Sequence, residues 1–231
     1  MLEGLGHVAV GAASPIPGAA ALLARHRSGH RLRVSMLASE RHTCFTDGAR
    51  EIFDCAAQGR MDAFFLGGGQ IDGSANINLV GIDGYPSSRV RFPGSFGSAF
   101  MYFVVPRVIL FSLEHSRRVL VPRVDFVSAP GTSPAQVYRP GGPHALVTSR
   151  CVFRFQKESA RFVLHSVHPG QSVDDIREHT GFDFDMPASV DETPAPTAEE
   201  LALIRGSVGT DISETYPAFA RRVLELNENR L

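Results

Sequence analysis

The sequence predicts an α/β protein: an open, mainly parallel sheet with helices on both faces, and antiparallel strands and further helices added in the C-terminal half. Two observations carry this expectation. Strand-like and helix-like runs alternate through the first half, and short apolar strands joined by helical crossovers build a parallel sheet covered on both sides. In the second half the apolar runs follow each other too closely for helices to fit between them, the spacing of an antiparallel meander. The size agrees. A chain of 231 residues, 43% hydrophobic, buries one substantial core, so a single domain over residues 1–231 is expected, with a helical extension from about residue 197.

Taken in order, Gly11 to Gly18 is rich in Gly, Ala and Pro and leads into an apolar helical stretch, Ala19 to His26. Leu32 to Leu37 reads as a strand. Asp47 to Gln58 reads as a helix with Ile52, Phe53 and Ala56 on one face and Gly59 as a left-handed stop. Ala63 to Leu66 is a short buried strand ending in three glycines. Ile77–Ile82, Met101–Val105 and Val108–Phe111 are expected strands. Ala145–Ser149, Val152–Phe155 and Arg161–His165 form the meander. A helix then opens at Ser172, with Asp175 three residues on, and closes at Gly181. Pro187 to Pro196 is a linker with three prolines, and Thr197 with Glu200 makes a capping box. Ile212 to Leu231 looks helical apart from Pro217, an extension suited to contacting a partner.

Composition narrows the function. The net charge is −1, from 23 basic and 24 acidic residues, with no charged tail, so neither a nucleic-acid surface nor a membrane patch is expected. All basic residues except Lys157 are arginines, which suit bidentate contacts to phosphate and carboxylate, although biased codon usage also explains this. No run reaches the roughly 18 apolar residues of a membrane span, and Met1 to Val10 lacks the features of a signal peptide. Cys44, Cys55 and Cys151 form no C-x-x-C pair, which argues against a disulfide framework or a zinc site and for reduced thiols in the cytoplasm.

Most standard catalytic motifs are absent. There is no phosphate-binding G-x-x-x-x-G-K-S/T loop and no G-x-S-x-G elbow, and the G-x-G of Gly4 and Gly6 has no strand before it. His165 and His168 lie on strand and turn without a third ligand, so no metal is expected. The informative stretch is Leu66-Gly-Gly-Gly-Gln-Ile-Asp-Gly-Ser-Ala-Asn-Ile-Asn78. A buried strand runs into glycines, which allow close backbone approach, at the kind of strand end where α/β sheets bind ligands. Gln70, Asp72, Asn76 and Asn78 follow as candidate binding residues; the alternative is that they satisfy turn backbone. A second glycine loop, Phe92-Pro-Gly-Ser-Phe-Gly-Ser-Ala99, offers backbone N–H groups to an oxyanion, or is a tight connection between strands. Phe96 and Phe100 beside it read as core or as the lining of a bulky pocket.

At these loops the sequence resembles a known family. Leu66 to Asn78 resembles the G-A-x-Q-I/V-D-x-x-G-N-x-N segment of B subunits in the glutaconate and 3-oxoacid group of class I coenzyme A transferases. Arg89-Val-Arg-Phe-Pro-Gly-Ser-Phe-Gly-Ser98 is similar to the loop that follows it there. Val124-Asp-Phe-Val-Ser-Ala-Pro-Gly131, Val167-His-Pro-Gly170 with Val173 and Thr180-Gly-Phe182, and Thr193 to Arg205 match in the same order. The resemblance implies the family's open α/β sheet, an A-type partner subunit in an A2B2 assembly, and an acyl-CoA substrate. Coenzyme A is then a co-substrate, with no permanently bound cofactor. It places Gln70, Asp72, Asn76 and Asn78 around the acyl-CoA site and Gly94 and Gly97 near the reacting carbonyl.

In that family a glutamate of the B-type chain attacks the acyl-CoA carbonyl, giving an acyl–glutamyl anhydride and then a glutamyl–CoA thioester. It lies at the end of the second strand. Here direct register puts Leu37 in its place, and Glu40, three residues later, is the candidate nucleophile or else a surface or arginine-paired carboxylate. Ala75 replaces the glycine of G-N-x-N, and Ser98 replaces the second glycine of a Gly-Gly pair. The resemblance also reaches family members without this glutamate, ring-opening hydrolases of steroid catabolism whose catalytic glutamate sits in the A-type chain. Three readings follow: a transferase using Glu40, an acyl-CoA hydrolase or lyase with catalysis from the A-type chain, and a non-catalytic subunit that completes its partner's site.

Overall fold

The computed structural model describes residues 1–224. Its first strand, β1 (His7–Val10), is buried along its whole length and is flanked by β2 (Arg33–Met36) and β3 (Ala63–Gly67), both parallel to it. The described chain divides into two compact units. One runs from Met1 to Phe65 and resumes at Ala195; the other is Leu66–Pro194.

In the first unit α1 (Pro15–Arg27) begins with Pro15 and Pro17, whose fixed φ suits a first helical turn, and ends in Arg25, His26 and Arg27, which complement the helix dipole. Its inner face is Gly18, Ala21 and Leu22. Gly18 allows close packing: a Cβ there would stand 3.0 Å from Ile212 Cδ1 and 3.3 Å from Met36 Cε. Helix α2 (Gly48–Ala57) buries Ile52, Cys55 and Ala56, leaves Phe53 half-buried, and stops at Gly59 with φ +69°, as expected. The expected C-terminal extension is α5 (Ala198–Leu203), a π-helical turn (Ile204–Val208), α6 (Gly209–Thr215) and α7 (Pro217–Val223). The capping box of Thr197 and Glu200 is formed. Pro217 starts α7 rather than interrupting a helix. Residues 225–231 of the expected helix lie outside the described residues.

In the second unit β8 (Arg107–Ser112) pairs with β9 (Pro143–Thr148) in parallel. Strands β9, β10 (Cys151–Gln156) and β11 (Arg161–Val167) are the antiparallel meander read from the sequence. Phe153 packs against Phe162, Phe182 and Phe184 with ring centroids 5.8, 6.1 and 5.0 Å away, the aromatic centre of this unit. Helix α4 (Val173–His179) carries the complete capping box of Ser172 and Asp175. The proline-rich linker holds a short strand, β12 (Asp191–Glu192), paired in parallel with β11.

Two expected strands differ. Ile77–Ile82 is not continuous: β4 (Gln70–Ile71) pairs with β5 (Ile77–Asn78), and β6 (Gly81–Ile82) pairs with β7 (Val90–Arg91). The Asn78 side chain accepts from the N–H groups of Val80 and Gly81 and donates to Gly81 O, which turns the chain out of the strand. Met101–Val105, read as a strand from its aromatic and β-branched residues, lies on α3 (Ser98–Val104). Met101, Tyr102 and Val105 are all buried, so the inward positions recur at helical spacing rather than alternating.

Candidate functional site

The Gln70–Asn78 segment is a turn whose polar side chains bond to one another and to the chain around them. Gln70 donates from Nε2 to Asp125 Oδ2 at 2.6 Å, and its Oε1 accepts from Asp125 N and Asn78 Nδ2. Asp72 is buried, and its carboxylate accepts from Ser74 N, Asn76 N, Asn76 Nδ2 and Val124 N. Asn76 Oδ1 accepts from Gly131 N. Asn78 is fully buried, with both side-chain polar atoms bonded. The four candidate residues thus form one scaffold. Ala75, where the family pattern has glycine, sits at φ +59°, a left-handed conformation that glycine adopts at little cost. A surface pocket of about 490 Å³ adjoins Asp72–Ser74 and Asn76, with Arg123, Arg161 and Phe182 among its other lining residues.

The second loop is tied to the first. Phe92 N donates to Val80 O and Gly94 N to Leu79 O, just after Asn78. A methyl on Gly69 would meet the Phe92 ring at 2.4 Å, so the two loops pack as closely as they do only because residue 69 is glycine. Gly94 (φ +103°) has its N–H bound to Leu79 O, and it therefore does not present that group to an oxyanion. Among the described residues the Ser95 and Gly97 N–H groups meet no acceptor. Gly97 is the N-cap of α3, so the loop precedes a helix and not a strand. Among the described residues the buried Ser98 hydroxyl meets no hydrogen-bond partner.

Three residues not singled out from the sequence complete this site. Tyr102, fully buried on α3, donates from its hydroxyl to Ala75 O at 2.8 Å; burial keeps the phenol well above its usual pKa and so neutral. Asp125 clamps Gln70. Ser128 donates to Ile77 O and accepts from Leu79 N. Asp125 and Ser128 lie in the quoted Val124–Gly131 motif, which is their only signal in the sequence. Arg139 fixes α3 from outside: it donates to Tyr102 O, Gly141 O and Pro130 O and lies over the Tyr102 ring.

Glu40 belongs to the first unit, on the turn after β2. The turn is closed by Ser39 N–Met36 O and Met36 N–His42 O bonds and by Ala38 at φ +72°. Helix α6 holds it. Glu214 accepts from the Ser39 hydroxyl and from Glu40 N, each at 2.7 Å, and His42 Nε2 lies 3.2 Å from Asp211 Oδ2. Partial burial pushes the Glu214 carboxyl up, but the bonds from Ser39, Glu40, Thr215 and Arg41 outweigh it and hold the pKa below the usual range. Glu40 is exposed, Leu37 is half-buried, and no hydrogen bond or ion pair to the Glu40 carboxylate occurs among the described residues.

Three further reactive residues, His115, Cys151 and His168, are tied into the framework. His115 bridges Thr148 and Thr180, and burial lowers its pKa to about 4. Cys151, beside it, is pushed up to about 12 by burial, which keeps it a thiol. His168 bonds to Thr193 and to Thr148 O, while His165 is exposed on β11. Among the described residues no group of three His, Cys, Asp or Glu is placed to hold a metal ion, and no helix is long and apolar enough to cross a membrane.

The family model for coenzyme A transferase matches residues 7–179, which include both glycine loops and the turn after β2. The chain belongs to the coenzyme A transferase family. This CoA-transferase chain is 34% identical over 162 residues to the B-type chain of the 3-oxoadipate CoA-transferase of Pseudomonas knackmussii, covering 67% of itself and 62% of that protein. It is 31% identical over 175 residues to the cholesterol ring-cleaving hydrolase IpdB subunit of Rhodococcus jostii, covering 68% and 62%. It thus spans about three fifths of the length of these relatives. Among solved structures, the decarboxylase AibA/AibB superposes with a TM-score of 0.75 at 25% identity over 95% of this chain and 91% of that one. The glutaconate coenzyme A-transferase of Acidaminococcus fermentans superposes with a TM-score of 0.78 at 22% identity over 96% and 92%, which shows the shared fold.

Proposed function

We propose that this chain is the B-type subunit of a two-subunit enzyme acting on acyl-CoA thioesters, with an A-type subunit as its partner in an A2B2 assembly and coenzyme A as co-substrate. The observation that carries this reading is the bonding of the two family loops into one rigid constellation around Gln70, Asn78, Leu79 and Gly94. On this reading the four polar residues shape the acyl-CoA site by holding its backbone, and the loop through Gly97 lies near the thioester carbonyl. Backbone donors there stabilise the oxyanion as charge develops on it.

The reaction assigned is movement of CoA between an acyl-CoA and a carboxylate, with Glu40 as the nucleophile. Glu40 is the one carboxylate between Arg33 and Thr46, on the turn where the family holds its reacting glutamate. A second reading is favoured by Leu37, which directly follows β2 in the glutamate's register: a hydrolase or lyase whose catalytic carboxylate sits in the A-type chain, as the IpdB likeness suggests. The test is the complex with its A-type partner carrying Glu40→Ala. Lost CoA exchange, together with a hydroxylamine-sensitive glutamyl–CoA on the unsubstituted chain, supports the transferase. Retained turnover and no trappable adduct on this chain support the second reading.

A further inference from the structure

We infer that Arg41 and Arg221 form a carboxylate-binding site beside the turn after β2, and that this site recognises the distal carboxylate of a dicarboxylic acid or of its CoA thioester. The site stands on its own geometry; naming its ligand as part of the substrate rests on the acyl-CoA reading and deepens it. A cavity of about 330 Å³ lies between the turn and the helices α6 and α7, lined by Arg41, Thr210, Ser213, Glu214, Pro217 and Arg221. All six belong to the first unit. Thr210, Ser213 and Glu214 share one face of α6 by their spacing, and Pro217 and Arg221 share one face of α7. Two arginines thus bound one space from different elements. Among the described residues neither guanidinium meets a carboxylate or another acceptor, whereas exposed arginines such as Arg27 and Arg118 reach Glu200 and Glu114.

The other polar groups of the wall are already engaged. The Thr210 hydroxyl donates to Gly206 O and the Ser213 hydroxyl to Thr210 O. The Glu214 carboxylate accepts from the Ser39 hydroxyl, Glu40 N and the Thr215 hydroxyl, so its charge is taken up by the turn and by its own helix end. The donors left over are the two guanidinium forks. As like charges sharing one cavity they repel each other, and each is shaped for bidentate contact with a planar carboxylate. Position then selects the ligand. Glu214 bounds the cavity and accepts from Glu40 N at 2.7 Å, so an anion there lies beside the turn that carries the candidate nucleophile. The phosphates of CoA are separated from its thioester by the whole pantetheine arm, and a phosphate held here could not leave that thioester at the same turn. A second carboxylate a few bonds from the reacting carbonyl can.

The test uses the complex with its A-type partner, unsubstituted and with Arg41→Gln, Arg221→Gln or, as a control outside the cavity, Arg222→Gln. All three arginines are exposed, so the folded complex should persist in each variant. Calorimetric titration compares succinate, glutarate and adipate with butyrate, valerate and hexanoate, and initial rates compare the matching CoA thioesters. At least one dicarboxylate should bind about tenfold or more tighter than its monocarboxylate. That preference, and the corresponding ratio of kcat/KM, should fall about tenfold in Arg41→Gln and in Arg221→Gln but not in Arg222→Gln. Equal binding of the two kinds of acid, or a preference that survives both cavity substitutions, overturns the inference alone. So does binding of adenosine 3′,5′-bisphosphate that the same two substitutions abolish, which makes the cavity a phosphate site. An arginine-dependent dicarboxylate site in a complex that turns over no acyl-CoA overturns the acyl-CoA reading and leaves the site standing.

Discussion

The turn after β2 and the paired glycine loops treat their polar side chains in opposite ways. In the turn, Ser39 and the backbone of Glu40 are bonded to Glu214, while the Glu40 side chain, proposed as the nucleophile, is exposed. In the loops, the polar side chains of Gln70, Asp72, Asn76 and Asn78 are drawn into internal bonds. The loops are therefore held by their own polar side chains, whereas the turn is held by a neighbouring helix and leaves the Glu40 side chain exposed. Substitutions at the four loop residues should act mainly on stability, and a substitution at Glu40 mainly on reaction.

Three experiments test that contrast and one tests the buried His115, in order of expected effect. Asn78→Ala removes a fully buried side chain bonded on both ends and leaves Gln70, Val80 and Gly81 short of partners. It should cost about 3 kcal/mol in urea unfolding and lower activity only as far as folded protein is lost. Second, lowering the pH should destabilise the chain through His115. Its folded pKa of about 4 lies below its unfolded value of 6.5, so the neutral form stabilises the fold fully above pH 6.5, and this stabilisation is lost as pH falls from 6.5 towards 4. The loss, on the order of 2 kcal/mol, should shrink in His115→Gln when melting is followed against pH. Third, Glu214→Ala should cost about 1 kcal/mol and, by releasing the turn, lower turnover without touching the glycine loops. Fourth, Glu40→Gln should change stability by less than about 0.5 kcal/mol, as expected for an exposed side chain. A Glu40→Gln variant that unfolds early would break the contrast from the other side.

What is legible in the sequence is local. Ser172 with Asp175 and Thr197 with Glu200 are readable as caps because donor and acceptor lie three residues apart, and Gly59 is readable as a stop because its conformation is its own. The meander shows because its strands leave no room for helices. Helix α3 is hidden: Met101, Tyr102, Phe103 and Val104 have strand-like composition, and their helix depends on Tyr102 reaching Ala75, 27 residues earlier. The Gln70–Asp125 clamp joins residues 55 apart, and no spacing rule finds such a pair. The candidate site residues stand out as polar groups of one segment, but whether they face inward or outward is a property of packing. Phe96 and Phe100 are exposed in this chain, against the reading of them as core.

Thioester chemistry is the decisive test of the acyl-CoA reading. The chain purified together with its A-type partner should be incubated with a panel of acyl-CoA thioesters, with and without carboxylate acceptors, and the CoA species separated by chromatography. At least one acyl-CoA should be consumed, with CoA moved to an added carboxylate or, on the second reading, the acyl group hydrolysed or cleaved. An assembled, folded complex that leaves every thioester intact would contradict the assignment.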